Sequence, residues 1–131
     1  QLALRKELLK GDPAAKELLK DGDAFGKKLT ELEEKFHNPK AKIAYDIFAA
    51  RGGAMLYSQF VWLLGNLTDG DGAPTQAQVE LAAKLEKELA GHLAAFDALA
   101  AGDLAKLNAA ARKLAVPELY VPPVRSEPDG K

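Results

Sequence analysis

Between Thr75 and Leu99 apolar side chains return every three or four residues, at Leu81, Leu85, Leu89, Leu93, Phe96 and Leu99, with His92 in the same stripe. That recurrence fits a helix of 3.6 residues per turn and not a strand, whose side chains change face at every residue. Thr75 with Gln78 three positions on forms a capping box, which satisfies backbone N–H groups that a first turn leaves unpaired. A helix this long must bury its apolar side against something, and the rest of the chain has to supply it.

The other segments follow the same period. From Asp23, the residues Phe25, Leu29, Leu32 and Phe36 lie four, three and four apart, which predicts a second amphipathic helix. Before it, residues 2 to 20 carry Leu2, Leu4, Leu8, Leu9, Leu18 and Leu19, broken at "GDP", where Gly11 ends one turn, Asp12 caps and Pro13 opens the next. In "HNPKAKIAYDIFAARGG" Asn38 is placed as an N-cap and Pro39 as the first helical residue, while Gly52 and Gly53 stop the helix, one of them at positive φ. Leu56, Phe60, Leu63, Leu64 and Leu67 form the next face. Val61 and Trp62 lie off that face, so the run 54–67 is expected to be a central helix, a wall of the core rather than of a pocket. Gly102 and Asp103 predict a break and a new cap ahead of Leu104, Leu107, Ala111 and Leu114. Beyond Pro117, "VPELYVPPVRSEPDGK" predicts an extended surface tail.

The fold expected is all-α, an antiparallel helical bundle of about four to six helices. It spans residues 1–116, with 1–21 suited to a linking helix from a preceding domain, followed by the Pro-rich tail 117–131. A length of 131 residues suffices for one core. With 47% apolar residues, 28% charged residues and a net charge of −1, neither disorder nor a nucleic-acid partner is expected. Cysteine is absent, which removes disulfides and thiolate metal sites. The longest apolar run, Phe60 to Leu64, is too short for membrane insertion. The chain opens on Gln1 rather than Met, which fits a piece cut from a longer precursor, any export signal lying outside it.

Chemistry-bearing constellations are sparse. Glu33, Glu34 and His37 share one helical face, and Glu88 and His92 repeat one of those offsets. A di-iron bundle needs two Glu-x-x-His elements and two further glutamates, and only "EKFH" has that spacing, so no metal and no cofactor is expected. His92 is expected to be a partly buried histidine satisfied by a neighbour, and His37 to close a helix end. "DGDG" at 69–72 resembles the start of a calcium loop but lacks the third acid, the glycine and the closing glutamate. Ser58 has no nucleophile-elbow context, and the acidic residues fall mainly on solvated faces, so no catalytic residue is assigned. Two surfaces remain. Tyr45, Tyr57 and Trp62 would line a groove for a small molecule or glycan, because aromatics offer flat apolar faces with polar edges. Leu4 and Leu8 near one end, with Leu119, Tyr120 and Val121 near the other, exceed the apolar content of an ordinary exposed end and suggest a docking surface.

The stretches "EEKFHNPKAKIAYDIFAARGGAMLYSQFVWLL", "DGDGAPTQAQ" and "DLAKLNAAARKL" resemble the C-terminal helical region of bacterial sortilin-like BNR-repeat proteins. The resemblance covers roughly residues 28 to 117 and is most specific at "HNPKAKIAYDI", "RGGAMLYSQ" and "DGAPTQ". Proteins of that family are large, usually exported β-propellers often labelled glycosyl hydrolases. The resemblance implies an extracellular or periplasmic, non-catalytic accessory domain that packs on a parent propeller or on a second copy. No Asp-box repeat of the Ser-x-Asp-x-Gly-x-Thr-Trp kind occurs in these residues, so the hydrolase label attaches to no residue of this chain.

Overall fold

The structure, a computed structural model, describes residues 1–39 and 52–122. Of the described residues 75% are helical and none is in a strand. Helix α1 spans Leu2–Leu8, and a 3₁₀ turn at Pro13–Ala15 leads into α2, Lys16–Phe36. Helix α3 is Leu56–Thr68 and α4 is Gln76–Leu99, which passes through a π-helical turn, Ala100–Leu104, into α5, Ala105–Lys113.

Local chemistry places several of these boundaries. Gly11 takes φ +86°, and Asp12 accepts a hydrogen bond from the Ala14 N–H at 2.9 Å just ahead of Pro13, as the "GDP" signal requires. Thr75 and Gln78 form the expected capping box. Gly52 and Gly53 both adopt positive φ, at +103° and +76°, in the approach to α3. Asn38 is buried and its side chain donates to the Gly53 carbonyl at 3.0 Å. The helix expected after Pro39, with Tyr45 on it, lies outside the described residues.

Two expected breaks are absent. Helix α2 runs unbroken through Asp21, Gly22 and Asp23. Its apolar stripe begins at Leu18 rather than Phe25, and the position between them is Gly22, buried under Leu2 of α1. One helical turn on, a Cβ at Gly26 would stand 3.3 Å from Leu2 Cδ1. The two glycines therefore let α1 lie close against α2, and a stripe position without a side chain escapes a search for apolar periodicity. The second break, at Gly102 and Asp103, is a π turn instead. From Leu99 to Leu104 the stripe steps by five residues, and a π turn, whose hydrogen bonds run i→i+5, absorbs the extra residue without ending the helix. Asp103 caps nothing: its carboxylate meets the Lys28 ammonium of α2 at 2.6 Å.

The buried side chains form two groups. Leu18 and Phe25 of α2 pack with Leu104, Leu107 and Ala111, and Leu2, Leu9 and Leu119 close over them. Leu56 and Leu63 of α3 pack with Leu85 of α4, flanked by Phe36, Phe60 and Leu81. Helices α2 and α4 carry residues of both groups, since Leu29 and Leu99 belong to the first and Phe36 and Leu89 to the second. The expectation of a central α3 fails among the described residues. Leu56, Phe60, Leu63 and Leu67 face the core, but Tyr57, Val61, Leu64 and Trp62 are exposed, Trp62 at 68%. One seam against α4 and α2 covers only one side of this helix. Leu93, in the expected stripe of α4, is likewise 51% exposed.

Leu85→Ala, at a fully buried site, is expected to lower stability by about 2–5 kcal/mol in urea denaturation, whereas Leu93→Ala changes it by less than about 0.5 kcal/mol. Equal effects would mean that the inward face of α4 is wrongly identified. The Lys28 hydrogen bond, aided by the charges of Lys28 and Lys106, holds the Asp103 carboxyl below its ordinary range. A carboxyl depressed in the folded state stabilises above its unfolded pKa of about 3.9 and loses that contribution as pH falls through the folded value. Asp103→Asn should therefore flatten the acid limb of the stability profile, read as urea midpoints from neutral pH downward.

Candidate functional site

The edge where α1 meets the residues after α5 concentrates most of the unusual chemistry. Helix α5 ends in a Schellman arrangement: the Val116 N–H reaches the Ala111 carbonyl at 2.9 Å and the Ala115 N–H reaches the Arg112 carbonyl at 3.1 Å. Ala115 occupies the left-handed position, φ +53°, that glycine usually fills. Pro117 cannot continue a helix, and the chain returns along α1 without regular structure.

Residues 117–120 are each held by a side chain. Arg5 Nη2 donates to the Pro117 carbonyl, and Arg112 pairs with Glu118 at 2.8 Å. The Asn108 amide donates to the Leu119 carbonyl at 2.9 Å and accepts its N–H at 2.8 Å. Gln1 does the same for Tyr120, at 2.9 and 2.7 Å. Two carboxamides thus offer the donor and acceptor pair that a neighbouring strand would offer, which satisfies backbone groups that have no helix or sheet to join.

Apolar grooves flank this strap on both sides. One, of about 440 Å³, is lined by Leu4, Leu8, Leu9, Leu114 and Val116, with Arg5 and Glu118 as its charged members. The other, of about 370 Å³, lies among Leu2, Phe25, Leu29, Phe96, Tyr120 and Val121. Leu119 lines both. The five residues suggested as a docking surface are therefore gathered at one edge, although they come from opposite ends of the described chain. Leu4 is 65% and Leu8 73% exposed, and Tyr120 and Val121 are also exposed, whereas Leu119 is half-buried against the first core group.

Arg5 is the residue that sequence reasoning missed. A single arginine on a helix reads as a solvated charge, yet Arg5 is only 6% exposed and its Nη1 has no hydrogen-bond partner. Burial pulls its guanidinium below the ordinary value. The signal exists only in three dimensions, because residues 117–119 cover it from 112 positions away.

The aromatic candidates are not brought together in this way. Tyr57 and Trp62 are exposed on α3, five residues and so about 140° apart around the helix. Neither lines either groove, and Tyr45 lies outside the described residues. Glu33, Glu34 and His37 are exposed, and among the described residues no three His, Asp or Glu side chains gather in a metal-holding group. The His92 ring meets Phe36 edge to face with centroids 5.1 Å apart. Its buried Nε2 stands 3.6 Å from Glu88 Oε1, within ion-pair range but too long for a hydrogen bond, so the expected partner only approaches it.

No family model matches the chain, and neither a curated protein nor a solved structure is significantly similar to it.

Two substitutions at the strap should act in opposite directions. Ala115→Gly relieves the left-handed alanine and is expected to stabilise by about 0.5–1 kcal/mol, the steric penalty less the added glycine entropy. Asn108→Ala removes both bonds to Leu119 and should destabilise by about 1–3 kcal/mol while accelerating exchange of the Leu119 amide. An unchanged exchange rate at Leu119 would contradict the strap geometry.

Proposed function

We propose that this chain is a non-catalytic accessory domain, a helical bundle of about four to six helices with a Pro-rich tail, that docks on a larger exported propeller protein or mediates its assembly. The observation that carries the reading is the paired apolar grooves at the α1 edge, rimmed by the exposed Leu4, Leu8, Tyr120 and Val121. Contiguous exposed apolar surface favours contact with another macromolecule. The resemblance to the C-terminal region of sortilin-like BNR-repeat proteins supplies the propeller and the extracellular or periplasmic location. Its occupant is the parent propeller or a second copy of the domain.

A second reading, a small-molecule or glycan-binding module, is favoured by the exposure of Trp62 and Tyr57, since a tryptophan held in the core would offer a ligand nothing. The two rings point about 140° apart around α3, so one small ligand would engage Trp62 or Tyr57 rather than both.

Co-expression of the chain with the parent propeller, followed by size exclusion, tests the first reading. Association is expected, and Leu4→Glu with Leu8→Glu is expected to abolish it. A fragment that stays monomeric and unassociated, and that binds sugar saturably with quenching of Trp62, would reverse the two readings.

A further inference from the structure

Arg5 is a buried cation without a carboxylate. Its Nη2 is taken by the Pro117 carbonyl, its Nη1 by nothing, and among the described residues no acidic side chain pairs with it. Burying an ionised group is costly unless a counter-charge or a full set of hydrogen bonds compensates, and one neutral carbonyl on a guanidinium with five N–H donors falls short of that. The one acidic residue lining the adjacent groove, Glu118, is engaged at 2.8 Å by Arg112. The guanidinium stands at the Pro117 end of that groove, because Pro117 lines it and accepts from Nη2. Apart from Gln1, whose carboxamide is engaged by Tyr120, the remaining lining is aliphatic, chiefly Leu4, Leu8, Leu9, Leu114 and Val116.

We infer that this groove binds an aliphatic monocarboxylate, its carboxylate on the Arg5 guanidinium and its hydrocarbon chain along Leu4, Leu8 and Leu114. Three features select this chemistry. The fork of an arginine matches a carboxylate bidentately, and such charge-assisted pairs are strongest away from water. The aliphatic walls would desolvate the N–H and C=O groups of a peptide without replacing their hydrogen bonds, whereas a hydrocarbon chain has none to lose. The groove, about 440 Å³, falls within the size range of small-ligand sites. Because Nη1 is closed to solvent, the carboxylate reaches the fork by displacing the Pro117 carbonyl, so binding loosens the first rung of the strap. The inference does not rest on propeller docking and stands or falls separately from it.

Titration calorimetry of the full chain with decanoate below its micellar concentration, and with decanol as the uncharged control, tests it. Saturable one-site binding of decanoate is expected, with decanol at least about tenfold weaker, the scale of one charge-assisted hydrogen bond. Arg5→Gln should erase the preference for decanoate. Leu8→Glu, at an exposed position one turn from Arg5, should abolish decanoate binding, because its carboxylate competes for the guanidinium, while Leu8→Gln, which removes only apolar wall, should weaken decanoate and decanol alike and keep the preference for decanoate. Equal affinity for decanol, undiminished binding by Leu8→Glu, or no saturable binding of decanoate would each overturn the inference. Propeller association measured without decanoate is a separate measurement, and its failure bears on docking alone.

Discussion

The geometry of this molecule depends on the π turn at Ala100–Leu104. An α-helix continued at its ordinary pitch would turn each residue by about 100°, and a step of five between Leu99 and Leu104 would swing the later residues well off the inner face. The wider turn keeps Leu104, Leu107 and Ala111 directed at Leu18 and Phe25 while Leu85 and Leu89, earlier on the same helical path, still face α3. One helical path from Gln76 to Lys113 thereby serves two packing groups. The ion pair from Lys28 to Asp103 fixes that turn against α2 at the point where a helix is most easily deformed.

Everything at the α1 edge follows from where α5 is then aimed. Its C-terminal turn points the chain back toward α1, and Asn108, on the buried side of α5, is in place to take both backbone groups of Leu119. The close seat of α1 on Gly22 and Gly26 sets the distance at which Gln1 and Arg5 reach the returning residues 117–120. Grooves remain on either side of these returning residues.

What could be read from the sequence was what is chemically local. The caps at Asp12 and Thr75, the positive φ of Gly52 and Gly53 and the 3.6-residue period each involve residues a few positions apart, and each is present. The helix start expected at Asp23 and the break expected at Gly102 and Asp103 are absent because a glycine inside a helix can serve packing or a wider turn instead of ending it. Gly22 receives Leu2, and Gly102 with Asp103 sits in a turn anchored by Lys28. Trp62 was misplaced because composition tells which residues are apolar, not how many neighbours a helix has. The hold of Gln1 on Tyr120, across 119 positions, leaves no mark in any window of sequence. The same is true of Arg5, whose burial is a property of the chain segment that covers it.

That long span has a kinetic meaning. The pairing of α3 with α4 closes a short loop and can form early, whereas joining Gln1 to Tyr120 closes nearly the whole described chain and carries the largest loop entropy. A contact made this late adds little to the rate of folding and acts mainly on the rate of opening. Among the described residues the strap is accordingly a segment that can open while the helical packing stays intact.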